Sequence, residues 1–165
     1  MADRSYHYGA AFEAFLTSKE IPFVAVKEVR NTLFADAKLK TFDFVVYSAK
    51  GPNLLVDIHG RSCRNHSGRR TLESWTTEHD LLDLAEWEKV FGEGFQAVLV
   101  FVYWIDEPTR GRDGVFQHRD RHYLMMGVDL RSYQHHMRRR SPKWETVCLP
   151  AKAFRELAKP LDKWL

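Results

Sequence analysis

Cysteine is nearly absent. Cys63 and Cys148 are the only two thiols in 165 residues, too few for a disulfide framework and suited to a reducing compartment. No apolar run is long enough to cross a bilayer, so a membrane role is not expected. The start, Met1-Ala2-Asp3-Arg4-Ser5-Tyr6, lacks the apolar region of a secretory signal, which makes the protein cytoplasmic by expectation. No P-loop, dinucleotide fingerprint or Ser or Cys nucleophile motif occurs. Internal repeats, linkers and low-complexity tracts are missing too. With 44% hydrophobic and 13% aromatic residues, the composition is that of a globular protein. The length is that of one domain, expected to span 1–165.

Charge of one sign is also scarce, the net value being +3. Its placement says more than its size. Arg61, Arg64, Arg69 and Arg70 form one basic cluster; Arg131, Arg138, Arg139, Arg140 and Lys143 form another. Such clusters either neutralise phosphates or form a solvated face. The first follows directly on an acidic strand, so its four arginines are the candidate nucleic-acid contacts.

Tyr8, Ala11, Phe12, Phe15 and Leu16 recur at helical spacing and predict an amphipathic helix over 6–19, ended at Ile21-Pro22. Alternation predicts a strand over Phe23–Arg30. Strands over 42–48 and 54–60, joined by Ala49-Lys50-Gly51-Pro52-Asn53, read as a hairpin. The polar stretch 62–80 reads as a loop, expected to close over a phosphate backbone. A helix over Leu81–Val90, stopped by Gly92 and Gly94, precedes the strongest strand signal, Gln96–Ile105, which is apolar on both faces. A charged loop over 106–121, a strand His122–Val128, a helix Leu130–Met137 and a last helix Ala151–Leu157 complete the chain. This order predicts an α/β fold, a mixed central sheet flanked by helices on both faces.

Two acidic residues interrupt strands that are otherwise apolar. Asp43 lies in Phe42-Asp43-Phe44-Val45-Val46-Tyr47, and Asp57 in Leu54-Leu55-Val56-Asp57-Ile58-His59-Gly60-Arg61. A buried carboxylate is costly unless paired or bound to metal. Each Asp alone is as well explained by a salt bridge or a wet strand end. Together on consecutive strands, with Glu13 on the preceding helix, they make a candidate metal site. Period two puts Leu55, Asp57, His59 and Arg61 on one face and Leu54, Val56 and Ile58 on the other. Two unit charges about 4 Å apart repel by about 4 kcal/mol at an effective dielectric near 20, and a dication reverses that sign. Carboxylate oxygens suit Mg2+ or Mn2+, which accept phosphate oxygens as further ligands and can activate a water against a phosphodiester.

The succession of a helix bearing Glu13, a strand, Asp43 and then Asp57-Ile58-His59 resembles the PD-(D/E)xK core of restriction endonucleases and archaeal junction resolvases. Within that superfamily, His7-Tyr8-Gly9-Ala10-Ala11-Phe12-Glu13 resembles the signature of the bacterial, planctomycete-type HYExAFE family. The likeness implies a restriction-endonuclease-like domain in which Asp43 and Asp57 bind the metal and Glu13 holds a water or assists coordination. Two positions depart from the pattern. The third motif position, normally lysine, is His59, which could be a base, an additional ligand or a mark of lost catalysis. Arg61, two residues on, could restore the missing charge. Gly9 stands where the family has glutamate, one helical turn from Glu13.

The function so implied is divalent-metal-dependent hydrolysis of nucleic acid, DNA before RNA, with Glu13, Asp43, Asp57 and His59 as catalytic residues. The alternative is an inactive nuclease-fold module that binds nucleic acid or a protein partner. A homodimer is an option, since nucleases of this type often pair to cut two strands. His59, Cys63 and His66 lack a fourth ligand for structural zinc. Trp75 could stack on a base or simply pack.

Overall fold

The computed structural model describes residues 6–26, 39–63, 72–105 and 114–165. Ten strands and four helices follow in order: α1 Tyr6–Ser18, β1 Phe23–Ala25, β2 Phe44–Val46, β3 Asn53–Ser62, β4 Thr76–Thr77, α2 Glu78–Phe91, β5 Phe95–Ile105, β6 Val115–His118, β7 Arg121–Asp129, α3 Leu130–His136, β8 Arg138–Ser141, β9 Thr146–Cys148, α4 Ala151–Leu157 and β10 Lys159–Pro160, with a 3-10 turn at Leu161–Lys163. The large sheet runs β1-β2-β3-β5-β7-β10, with β6 also on β7; a small sheet runs β4-β9-β8. Among the described residues, only β3 and β5 pair in parallel in the large sheet. The α/β architecture with a mixed central sheet is as expected.

The helices divide between the two faces. Tyr8, Ala11, Phe12, Phe15 and Leu16 of α1 pack with Phe44, Val46, Leu54, Val56, Val98, Val100 and Val102. On the other face Leu81, Leu84 and Trp87 of α2, Tyr133 of α3 and Phe154 of α4 pack with Leu55, Leu99, Phe101 and Tyr103. The residues of β5 therefore alternate between two cores, which is why that strand is apolar throughout. Helix α1 ends where Glu20 turns left-handed at φ 56° and Ile21 N–H returns to the Leu16 carbonyl at 3.0 Å. Helix α2 begins three residues earlier than expected, because the Thr77 side chain accepts the Asp80 N–H. It stops at Gly92, as the sequence implied.

Several elements depart from expectation. The charged stretch before His122 contains β6, joined to β7 by a two-residue turn at Arg119-Asp120. Arg119 takes φ 57° there without the glycine or asparagine that usually signals such a turn. The second basic cluster is partly strand β8, and β9 is also new. The polar stretch 62–80 is no open loop in its described part. Ser74 and Thr76 are buried, the Ser74 hydroxyl accepts from Leu149 N–H at 3.1 Å, and Tyr133 donates to the Ser74 carbonyl. Most of the first strand's expected span beyond Ala25, and Arg64, Arg69 and Arg70, lie outside the described residues.

Candidate metal centre and cleft

The antiparallel register Val45↔Leu55, Phe44↔Val56 ends just short of Asp43, which lies near enough to Asp57 for the two carboxyls to influence each other. Asp43 N–H still bonds the Val56 carbonyl at 2.9 Å. The next ladder bond is taken over by a side chain: Ile58 N–H donates to Asp43 Oδ2 at 2.6 Å. The carboxylate thus ends the β2–β3 ladder and is held there by the backbone it replaces. The expected face is also present, with Leu55 in one core and Leu54, Val56 and Ile58 against the other.

The two carboxyls respond differently to their surroundings. Burial first, and then the charge of Asp57, push Asp43 up to about 6, against the opposing Ile58 N–H bond. Burial acts the same way on Asp57, yet His59 and then Lys40 outweigh it and hold Asp57 below its ordinary value. His59 Nε2 lies 3.0 Å from Asp57 Oδ2, but it makes no well-aligned hydrogen bond. The ring also lies 5.3 Å from that of Phe101.

Lys40 had no signature in the sequence. Its backbone N–H donates to Asp83 Oδ2 at 2.9 Å, and its carbonyl accepts from Trp87 Nε1 at 2.9 Å. Helix α2 thereby places the ammonium 3.1 Å from Asp80 Oδ2. Burial would lower its pKa, but Asp57, Asp80 and Asp43 raise it. Lys40, Asp57 and Asp80 share the walls of a constriction of about 10 Å3.

On the α1 side a cleft of about 730 Å3 is lined by Gly9, Ala10, Glu13, Asp43, His59 and Arg61, among others. Asp43 faces it; Asp57 stands behind. Glu13 is exposed on its wall. A side chain at Gly9 would meet nothing within 4 Å. Helix α1 approaches β3 closely because Gly60 has no Cβ, which would lie 2.1 Å from the Tyr8 ring. Arg61, a candidate phosphate contact, lines the cleft and has partners of its own. Its guanidinium bonds the Gly60 and Trp75 carbonyls and lies 4.0 Å from the centre of the Trp75 ring. His7 bonds Tyr123 Oη at 2.9 Å.

Among the described residues, no three His, Cys, Asp or Glu side chains are grouped to hold a metal ion. Glu13 therefore does not complete a three-ligand set with Asp43 and Asp57. The two aspartates alone still suit a hard dication. Mg2+ is commonly held by one or two carboxylates with water and phosphate oxygens supplying the rest, and such an ion would offset the burial and the Asp57 charge that push Asp43 up.

The sequence matches no family model and no curated protein. The structure is similar to that of Hjc, a Holliday junction resolvase from the archaeal hyperthermophile Archaeoglobus fulgidus. The TM-score is 0.59 and the identity 8%, over 96% of this chain and 98% of that chain. The fold is restriction-endonuclease-like. At that identity the likeness concerns the fold alone. Within the restriction-endonuclease-like sheet, Asp43 immediately precedes β2, and Asp57 and His59 lie on β3. No helix among the described residues is long and apolar enough to cross a membrane.

Proposed function

We propose that this chain, as one domain over 1–165, is a divalent-metal-dependent nuclease that hydrolyses phosphodiester bonds in DNA. The observation that carries the reading is the proximity of Asp43, just before β2, to Asp57 on β3, beside a cleft walled by α1. Asp43 and Asp57 would hold Mg2+ or Mn2+. The ion would supply a polarised water and charge stabilisation for the phosphoryl group. Asp43 is fixed by Ile58 N–H, so its free oxygen is aimed without a side-chain search. His59 lies against Asp57, where its ring nitrogen can orient that carboxylate or a water beside it. Glu13, one wall away, can orient a water in the cleft. The sequence His7–Glu13 supports placing the chain in the HYExAFE family, and the open space at Gly9 fits the glutamate that family carries. Arg64, Arg69 and Arg70 remain the proposed phosphate contacts.

The test is nicking of plasmid and branched DNA with Mg2+ or Mn2+, comparing wild type with Asp57→Asn. Cleavage should depend on the ion and be lost in the variant. Equal activity in both would refute the site.

One observation favours a second reading, an inactive binding module. Among the described residues, two cations close to the acidic strand are already engaged, Arg61 with Trp75 and Lys40 with Asp80. That reading requires salt-sensitive nucleic-acid binding without ion-dependent cleavage in the same assay.

A further inference from the structure

A second cavity, of about 500 Å3, lies beyond Arg61, within the size range of small-ligand sites. Leu72, Trp75, Ile105, Leu149 and Phe154 give it apolar walls, and Arg140 and Arg155 stand on it as exposed cations. Among the described residues, Glu73 is the one acidic residue lining it. The walls are pinned: Tyr103 donates to the Glu73 carbonyl at 2.8 Å, and the Ser74 hydroxyl is bonded to Leu149. Trp75 joins the cavity to the cleft. Arg61, which lines the cleft, lies over its ring at 4.0 Å, and Arg140 at 5.3 Å.

We propose that this cavity takes an unpaired nucleobase from a strand whose neighbouring phosphates meet Arg140 and Arg155. The inference rests on the nucleic-acid reading of the cleft and narrows its substrate to strands with an unstacked base. The argument is one of complementarity. A flat apolar ring needs an apolar, aromatic-walled pocket, and the phosphates beside it need cations at the rim. The cavity supplies both, one residue-stack away from the carboxylates. A base inside a duplex cannot enter such a site without unstacking, which costs a few kcal/mol.

The experiment is fluorescence anisotropy in EDTA with a labelled single-stranded oligonucleotide and with the same sequence fully paired, using wild type, Ala151→Trp and Arg140→Ala/Arg155→Ala. Ala151 is exposed on the cavity wall at the start of α4, so the indole fills the cavity without entering the core. Wild type should prefer the single strand. Ala151→Trp should weaken single-strand binding by about tenfold, the scale of one lost base stack, and leave duplex binding unchanged. The double arginine variant should also weaken single-strand binding and flatten its salt dependence. No single-strand preference, or equal loss on both substrates with an unchanged melting temperature, would overturn the proposal. Nicking is measured alongside: a protein with the single-strand preference but no ion-dependent cleavage would refute the nuclease reading while leaving the base site standing.

Discussion

Strands β3 and β5 run parallel and in register for ten residues, and they differ in what they place on one face of the sheet. Asp57 lies beside Leu99, His59 beside Phe101 and Arg61 beside Tyr103. All six point to the same side of the sheet, and Asp57, His59, Leu99, Phe101 and Tyr103 are all buried. One strand fills this space with apolar groups. The other fills it with charges that must each be answered: Asp57 by His59 and Lys40, Arg61 by Trp75 and the backbone. A fold gains nothing from charges where hydrocarbon fits. Their presence on β3, and not on its neighbour β5, is what the proposed metal site on β3 would explain.

The comparison can be broken most severely by moving a charge across it. Leu99→Asp puts a carboxylate in the same layer with no built partner, and should destabilise the protein by more than about 4 kcal/mol. Urea unfolding would read this as loss of most of the native stability, and near-normal stability would mean the two strands are not environmentally distinct. Asp57→Asn comes next. It should lower ion-dependent cleavage by at least about a hundredfold, equivalent to about 2.7 kcal/mol of barrier, with initial nicking rates as the measure.

Asp43 gives a smaller effect of opposite sign. Its folded pKa is raised to about 6, so its contribution to stability is complete below its ordinary value of 3.8 and is lost as pH rises through about 6. Asp43→Asn keeps an acceptor for Ile58 N–H and removes the ionisation. It should stabilise the protein at pH 8 by about 1–2 kcal/mol, with the gain fading towards pH 4. Melting temperatures at the two pH values would show it, and a variant less stable at pH 8 would contradict the repulsion described here. Mn2+ should raise the melting temperature of wild type but not of this variant.

Gly9→Glu should matter least to the fold. A Cβ there meets no neighbour, and replacing a mid-helix glycine offsets the added negative charge, keeping stability within about 1 kcal/mol of wild type. The added carboxylate faces the cleft, so calorimetry should find tighter Mn2+ binding. Unchanged affinity would separate α1 from the metal centre.

Much of the architecture was legible in the chain because periodicity reports burial directly. The α1 stripe, the two-faced apolarity of β5 and the turn between β2 and β3 each follow from local spacing. Strands β8 and β9 were not legible, being three or four residues long, the first of them mostly arginine, and stabilised by pairing that spacing does not encode. Lys40 was missed for a related reason: Asp83 and Trp87, more than forty residues away, place it. Arg61 was legible as a neighbour of the acidic strand, but its partner Trp75 was not.

The sequence by itself determined which faces are apolar, where the carboxylates interrupt them, and that Asp57, His59 and Arg61 share one side of a strand, since these depend only on the two-residue repeat of an extended backbone. The tertiary structure decided which charges meet. The meeting of β2 and β3 brought Asp43 near Asp57, α2 brought Lys40 to Asp80 and near Asp57, and the packing of residues 72–75 turned Arg61 towards Trp75 beside a second cavity. Those outcomes rest on contacts distant along the chain, and distance along the chain is what a local pattern cannot carry.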